Sequence, residues 1–291
     1  MTQVAGKAAT RTLSTILGHR ITVFANDYIG KKIARTGLYE REPLEFLLQL
    51  MQNIDDAVVL DVGANIGNHA LAFSTRAGQV HAFEPLPEAW SLLEQNIRQN
   101  SIGNIKAHPF ALSDETGAST LYRNRSGNVG GSSFDEQGGT VEAITVHKKI
   151  GDQVVEELGL HRIDLVKIDV EGHELYVLNG LVRTLEKFHP CIVMEWTDPS
   201  SIGRLRGSDV MRFLQNEYSI YVLGTKHERG YWHGRRFAWI KRKLTRLFRR
   251  PFPLLYEFDP TRIYKNLLLV PKGKEHLLPK QDFLDRHRNP I

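Results

Sequence analysis

The feature that most constrains this chain is the run Val58-Val59-Leu60-Asp61-Val62-Gly63-Ala64-Asn65-Ile66-Gly67-Asn68, where an apolar stretch passes straight into a glycine-containing turn. Ala57 to Val62 is rich in valine and almost unbroken in apolarity, as a parallel strand covered on both faces requires. Gly63 and Gly67 bracket the turn, at places where a side chain would block close approach of a ligand to the backbone. A helix expected from about Ile66 to Ala77 then points its first free N–H groups at that ligand, a seat for a carboxylate or phosphate.

The turn alone does not choose the ligand. A dinucleotide fingerprint wants G-x-G-x-x-G, and Asn65 and Asn68 stand at the second and third glycine places, which counts against NAD or FAD. A loop glycine pair without a ligand stays open at this point. The next strand, Gln79-Val80-His81-Ala82-Phe83-Glu84, ends in a carboxylate 17 residues beyond Gly67, close to the spacing of about 20 for an acid that receives a ribose diol. Pro85 and Pro87 break that strand at once. Glu84 is thereby expected at the carboxyl end of a strand, the ligand-binding rim of an open α/β sheet.

The chain then alternates. Glu88 to Asn100 reads as a helix with Trp90, Leu93 and Ile97 on its buried stripe, Asn104 to Leu112 as a third strand, and Ser113-Asp114 as its carboxyl end. Leu121 to Ser133 reads as an exposed loop, Thr140 to Val146 as a strand, and Lys148 to Leu158 as a helix. Ile163 to Val170 and Cys191 to Trp196 are buried strands separated by a helix from Leu175 to Phe188. Val210 to Asn216, Tyr218 to Leu223 and Asn266 to Val270 add a helix and two strands. Ahead of all this, Arg20 to Phe24 reads as a strand and Pro43 to Met51 as an amphipathic helix, an N-terminal extension (1–53) covering the sheet edge. Such alternation specifies a parallel sheet wound on both faces, with Gly63, Glu84, Ser113 and Asp169 along one rim.

Taken in order, Leu60 to Asn68, His81-Ala-Phe-Glu-Pro, Ala111-Leu-Ser-Asp, Gly131-Ser-Ser-Phe and Val166-Lys-Ile-Asp-Val-Glu-Gly-His-Glu resemble the FkbM family of S-adenosylmethionine-dependent methyltransferases. The resemblance covers roughly Leu60 to Trp196, with a weaker tail at Asn266-Leu-Leu-Leu-Val. It implies a Rossmann-like, seven-stranded, mostly parallel sheet of the class I methyltransferase type over 54–291. It also implies S-adenosyl-L-methionine as methyl donor, with a hydroxyl on a sugar, glycolipid, lipid or polyketide as acceptor. Cofactor contacts are then expected from Asp61, Gly63, Asn65, Gly67 and Asn68 in the first turn. Glu84 is expected at the ribose, and Ser113 and Asp114 near the adenine.

Methylation of a hydroxyl wants a base. Asp169, Glu171 and His173 alternate at a strand's carboxyl end, with Gly172 freeing the turn. His173 is the expected base, since an imidazole titrates near pH ~6.5 without tuning; Asp169 would face the methionine or acceptor end of the pocket, and Glu171 would orient His173 or the acceptor. The alternative is that the acids accept N–H bonds from the turn while His173 and Glu174 cap a helix. These acids, with Glu195, have the chemistry of a divalent-cation site, but the spacing does not demand a metal and none is expected. Glu195-Trp196 reads either as a rim carboxylate with an aromatic wall or as a packed strand end.

Composition narrows the setting. The 291 residues are 41% hydrophobic, enough for one large domain with extensions. The single cysteine, Cys191, excludes an intramolecular disulfide and a cysteine zinc cluster. No apolar run reaches the roughly 18–20 residues that span a bilayer, so a cytoplasmic location is expected. Residues 1–26 lack acids, a composition shared by transit peptides and by ordinary leaders. The net charge of +5 is local: 235–250 holds eight Lys or Arg and no acid, leaving −3 for the rest. Within an insertion at 226–258, this segment wound as a helix gathers Phe237, Ile240, Leu244, Leu247 and Phe248 on one face. It is suited to lie peripherally on an anionic membrane surface, with a lipid-linked glycan as acceptor, or to pack on its own domain. Two rival classes remain: an NAD-dependent oxidoreductase, disfavoured by the missing glycines, and a noncatalytic basic protein that binds nucleic acid or membrane, disfavoured by the set of rim motifs.

Overall fold

The protein is described from a computed structural model, over residues 9–25, 27–124, 141–225 and 253–279. The basic segment 235–250 and the Gly131-Ser-Ser-Phe motif lie outside the described residues.

The N-terminal part is richer than its sequence pattern. It holds two strands, β1 (Thr10–Ser14) and β2 (Arg20–Phe24), paired as an antiparallel hairpin, and two helices, α1 (Tyr28–Thr36) and α2 (Arg41–Met51). Asp27 caps α1 by accepting the Ile29 N–H, and Gly37 closes it in a left-handed conformation. The parallel core follows with β3 (Val58–Val62), α3 (Asn68–Phe73), β4 (Gln79–Phe83), α4 (Pro87–Gln99) and β5 (Ile105–His108). Next come β6 (Ala111–Ser113), β7 (Gly117–Asn124), β8 (Val141–Ile150) and α5 (Gly151–Glu157). The rest comprises β9 (Leu165–Ile168), α6 (Glu174–Gly180), α7 (Val182–Phe188), β10 (Cys191–Trp196), α8 (Pro199–Arg206), α9 (Asp209–Glu217), β11 (Tyr218–Thr225), β12 (Pro253–Glu257) and β13 (Tyr264–Pro271).

The main sheet has the order β12-β11-β13-β10-β9-β3-β4-β5. It is parallel from β10 to β5 and antiparallel across β13, β11 and β12. Among the described residues it has eight strands rather than the expected seven, because β12 pairs along the outer edge of β11. The expected third strand, Asn104 to Leu112, is two: β5 stays in the main sheet, while β6 joins β8 and β7 in a separate three-stranded sheet. β8 continues to Ile150 because Lys148 and Lys149 pair with Ala111 and Leu112, so the expected helix from Lys148 begins only at Gly151. The helix expected over Leu175 to Phe188 breaks at Leu181 into α6 and α7.

Strand alternation shows why both faces must be covered. Val58, Leu60 and Val62 fall in one core with Val166, Ile168, Ile192 and Met194, closed by α5 to α9. Ala57 and Val59 fall in the other with Leu165, Cys191 and Val193, closed by α2, α3 and α4. α2 therefore packs on a face of the sheet. The hairpin packs on α4, where buried Asn96 accepts the Thr22 N–H and donates to the Thr22 and Ile66 carbonyls.

Gly63 answers to this packing. Its φ is +79°, and a Cβ there would stand 1.9 Å from the carbonyl oxygen of Asp169, so the close neighbour is the end of β9 rather than a ligand. Gly67, at φ +91°, is likewise hemmed by Leu93 and Leu71. Gly63→Ala should cost at least about 1–2 kcal/mol from the left-handed φ alone, read as a fall of several degrees in melting temperature. An unchanged melt would contradict this approach of β3 to β9.

Candidate functional site

The carboxyl ends of β3, β4, β9 and β10 open onto one cleft, lined among others by Gly63, Asn65, Glu84, Asp169, Glu171 and Glu195. The first turn is tied internally. The Gly63 and Ala64 N–H groups both donate to the Phe83 carbonyl at 3.0 Å, and the Gly67 N–H donates to the Ala64 carbonyl at 2.9 Å. Asn65, left-handed at φ 51°, accepts the Ile66 N–H on its own side chain at 2.8 Å. The N–H groups from Gly63 to Gly67 are thus turned to protein partners. Helix α3 starts later and ends sooner than Ile66 to Ala77, since Ser74 and Thr75 turn their hydroxyls back onto the Leu71 and Ala72 carbonyls.

Glu84 is the buried acid of the rim. Its two carboxylate oxygens accept the Asn65 N–H at 2.8 Å and the Leu86 N–H at 2.9 Å. Burial nevertheless pushes its carboxyl up to about 7. An ionised carboxylate offers about four lone-pair sites, so the two backbone bonds leave capacity for a further donor. Asn68 lines the cleft, but its amide is engaged reciprocally with the Tyr39 backbone, both bonds at 3.1 Å. Asp61, Gly67, Ser113 and Asp114 stand outside the cleft wall. Ser113 is fully buried, while Asp114 is exposed and accepts the Ser113 hydroxyl.

His173 is the base expected from the sequence. It borders the cleft, yet its Nε2 lies 3.0 Å from the Ser113 hydroxyl and its ring stacks on Tyr176 with centroids 4.6 Å apart. Its neighbour Glu174 accepts the Gly172 N–H and the Ser201 hydroxyl, while Arg204 donates to the Gly172 carbonyl. These bonds hold the turn that carries Glu171, which sits at φ 48° ahead of Gly172 at φ 101°.

Lys167 organises the charges. The β3–β9 register sets Asp61 opposite it, and its ammonium lies 3.2 Å from Asp61 and 3.4 Å from Asp169 while donating to the Gly63 carbonyl at 3.2 Å. Burial disfavours that charge, but the attraction of Asp61, Asp169 and Glu40 outweighs it and holds the lysine above its ordinary range. Asp61, with no exposed surface, serves this pair from beneath the rim.

Asp169, Glu171 and Glu195 each place a carboxylate oxygen within 4.8 Å of the others. Burial and then the charge of Asp169 push Glu171 up to about 7; burial, Asp169 and then Glu171 push Glu195 up to about 8. The trio could hold an oxygen-ligated cation, and a shared proton relieves the same repulsion.

Sequence reasoning passed over Tyr39, Glu40, Lys167 and Asn266, all of which line the cleft. Lys167 inside an apolar strand and Asn266 before Leu267-Leu268-Leu269 are the signals that were available. Nothing local marks Tyr39-Glu40. Glu195, ambiguous in sequence, is placed on the rim by its register opposite Asn266.

Glu84, Glu171 and Glu195 have folded-state pKa values of about 7, 7 and 8, above the ordinary 4.5. Each therefore favours the fold while protonated, and that contribution is lost as pH rises through the folded value. Glu195→Gln should raise the melting temperature above pH ~8 and change it little near pH ~5. A gain that is equal at both pH values would show that Glu195 is not crowded.

Residues 61–231 match the methyltransferase FkbM domain family. The hexuronic acid methyltransferase AglP of Haloferax volcanii is 32% identical over 168 residues, 57% of this chain and 67% of that protein. The 2-O-methyltransferase NoeI of Sinorhizobium fredii is 28% identical over 149 residues, 45% of this chain and 60% of its own length. The crystal structure of methyltransferase FkbM from Methylobacillus flagellatus aligns with a TM-score of 0.44 at 16% identity, over 74% of this chain and 44% of that one. The family match spans more than half of the sequence, and the protein belongs to the FkbM methyltransferases.

Proposed function

We propose that the protein transfers a methyl group from S-adenosylmethionine to a hydroxyl of a sugar, glycolipid, lipid or polyketide-type acceptor. The observation that carries this reading is that a single cleft joins Glu84, at the end of β4, to the crowded carboxylates at the ends of β9 and β10. A relative named as a hexuronic acid methyltransferase favours a sugar among these acceptors, and one named as a 2-O-methyltransferase favours transfer to oxygen.

Glu84 fits a ribose diol, being an acid fixed by two backbone donors with lone pairs to spare. When bound, S-adenosylmethionine supplies a methyl carbon activated by its sulfonium, and the sulfur keeps the bonding pair as S-adenosylhomocysteine departs. The chain itself must align the acceptor and take its hydroxyl proton. The trio is suited to receive that proton, because a base works best with a pKa near the working pH, and Glu171 and Glu195 are raised to about 7 and 8. The acceptor O–H proton passes to a carboxylate of this trio as the oxygen gains the methyl. His173, bonded to Ser113, instead supports the turn that bears Glu171.

Calorimetry tests the cofactor half. Wild type should bind S-adenosylmethionine and its demethylated product, and Glu84→Ala should weaken both by about 1.5–3 kcal/mol, the worth of hydrogen bonds to a charged group. Tight NADH binding with no response to S-adenosylmethionine would sink the assignment. Transfer of label to acceptors in a cell extract tests the base. The rate should rise with pH through about 7–8 and then level. Glu195→Gln should move that rise to lower pH by removing the carboxyl that titrates at about 8 and leaving the one at about 7, whereas His173→Ala should leave its position unchanged. A rise that disappears in His173→Ala would return the base to the histidine.

A further inference from the structure

The stretch shared with the family, 61–231, does not contain the whole cleft, because Ile29, Tyr39, Glu40 and Asn266 line it as well. Tyr39 stands edge-on to Tyr28 and His69, with centroids 6.3 and 6.5 Å apart, and the ammonium of Lys265 lies 5.6 Å from its ring centroid. Burial, then the charges of Glu40, Asp169 and Glu195, push its hydroxyl above the usual range. Glu40 is held left-handed at φ 49°, ψ 42°, a conformation that a non-glycine residue keeps only when its surroundings enforce it. Lys265 at 2.7 Å, His69 at 3.5 Å and the Asn266 amide at 3.5 Å enforce it here. Asn266 is in turn the register partner of Glu195. One end of the cleft is therefore walled by an aromatic ring, an amide and a fixed carboxylate, all contributed from outside the shared stretch.

We propose that Tyr39, Glu40 and Asn266 form the acceptor wall, and that this wall takes an uncharged, hydroxyl-bearing sugar ring in preference to an anionic one. The inference rests on the methyltransferase reading above and deepens it. A half-buried aromatic side chain receives the C–H face of a sugar ring, and carboxylates and an amide beside it receive and return the hydroxyl hydrogen bonds. Polar groups placed to bond a hydroxyl discriminate strongly against a partner that lacks it. Charge supplies the exclusion. Glu40, Glu84, Asp169, Glu171 and Glu195 line the cleft against Lys167, which already serves Asp61 and Asp169. An acceptor carboxylate or phosphate would meet like charge there.

The full-length protein, labelled S-adenosylmethionine and a cell extract of glycans and glycolipids provide the test, with products separated on anion and cation exchangers. Label should appear in the unretained, neutral fraction and be released by acid hydrolysis as a methylated neutral sugar. Tyr39→Ala and Asn266→Ala should cut incorporation by about tenfold or more, with Tyr39→Phe retaining most of it. Calorimetric affinity for S-adenosylmethionine should be unchanged in all three, which also certifies that they are folded. Absence of label from the neutral fraction, or its concentration in either retained fraction, overturns the proposal. A parallel loss of cofactor affinity in Tyr39→Ala and Asn266→Ala overturns it too, by assigning these residues to the cofactor. Failure of the wild type to bind S-adenosylmethionine at all is a separate result, which removes the methyltransferase reading itself and the acceptor wall with it.

Discussion

The rim depends on one buried cation. Lys167 sits in β9 between strands that are otherwise apolar, 5% exposed, with Asp61 beneath it and Asp169 beside it. A lysine in that position is tolerable only while paired, since removing one partner of a buried ion pair typically costs about 3–5 kcal/mol. The pairing also has geometric content. The ammonium reaches Asp61 on β3, Asp169 just past β9 and the Gly63 carbonyl, so one side chain fastens the two strand ends whose backbones meet at Gly63 and Asp169. Cleft shape and cleft charge thus have a common origin.

The sheet was legible because its signals are local and periodic. Val58 to Val62, Gln79 to Phe83 and Cys191 to Trp196 are short apolar runs ended by turn residues, and the structure has strands at each. What was illegible required knowledge of pairing. Ala111 to Ser113 looks like the tail of the strand before it, and only the pairing of its residues with Lys148 to Ile150 draws it into another sheet. α8, capped by Asp198 through the Ser200 and Ser201 N–H groups, has too few apolar positions, buried Ile202 and Leu205, to announce itself by period.

The candidate site divides in the same way. Gly63, Asn65, Glu84, Asp169 and Glu171 belong to compact motifs, and all of them line the cleft. His173 shares their motif and the cleft wall, but its ring nitrogen meets a partner 60 residues away, the Ser113 hydroxyl, which no spacing rule reveals. Tyr39, Glu40 and Asn266 converge from opposite ends of the sequence. Their meeting depends on α2 lying across one face of the sheet and β13 returning antiparallel beside β10. Residues gathered from so far apart carry no joint pattern, whereas those that follow a strand end by one or two positions do.

The arrangement also explains why titratable character concentrates on one side of the cleft. Glu84 is raised chiefly by burial, with two backbone donors opposing the rise. Glu171 and Glu195 are raised by burial and additionally by the carboxylates around them, first among these Asp169. The Lys167 ammonium lies 3.4 Å from Asp169, and the Asp169 carboxylate in turn makes its two neighbours reluctant to ionise. Under the proposed transfer to a hydroxyl, a proton leaving the acceptor would meet a group that already favours holding one near neutral pH. That readiness is built from the buried lysine outward: register places Asp61 under Lys167, Lys167 anchors Asp169, and Asp169 prepares Glu171 and Glu195.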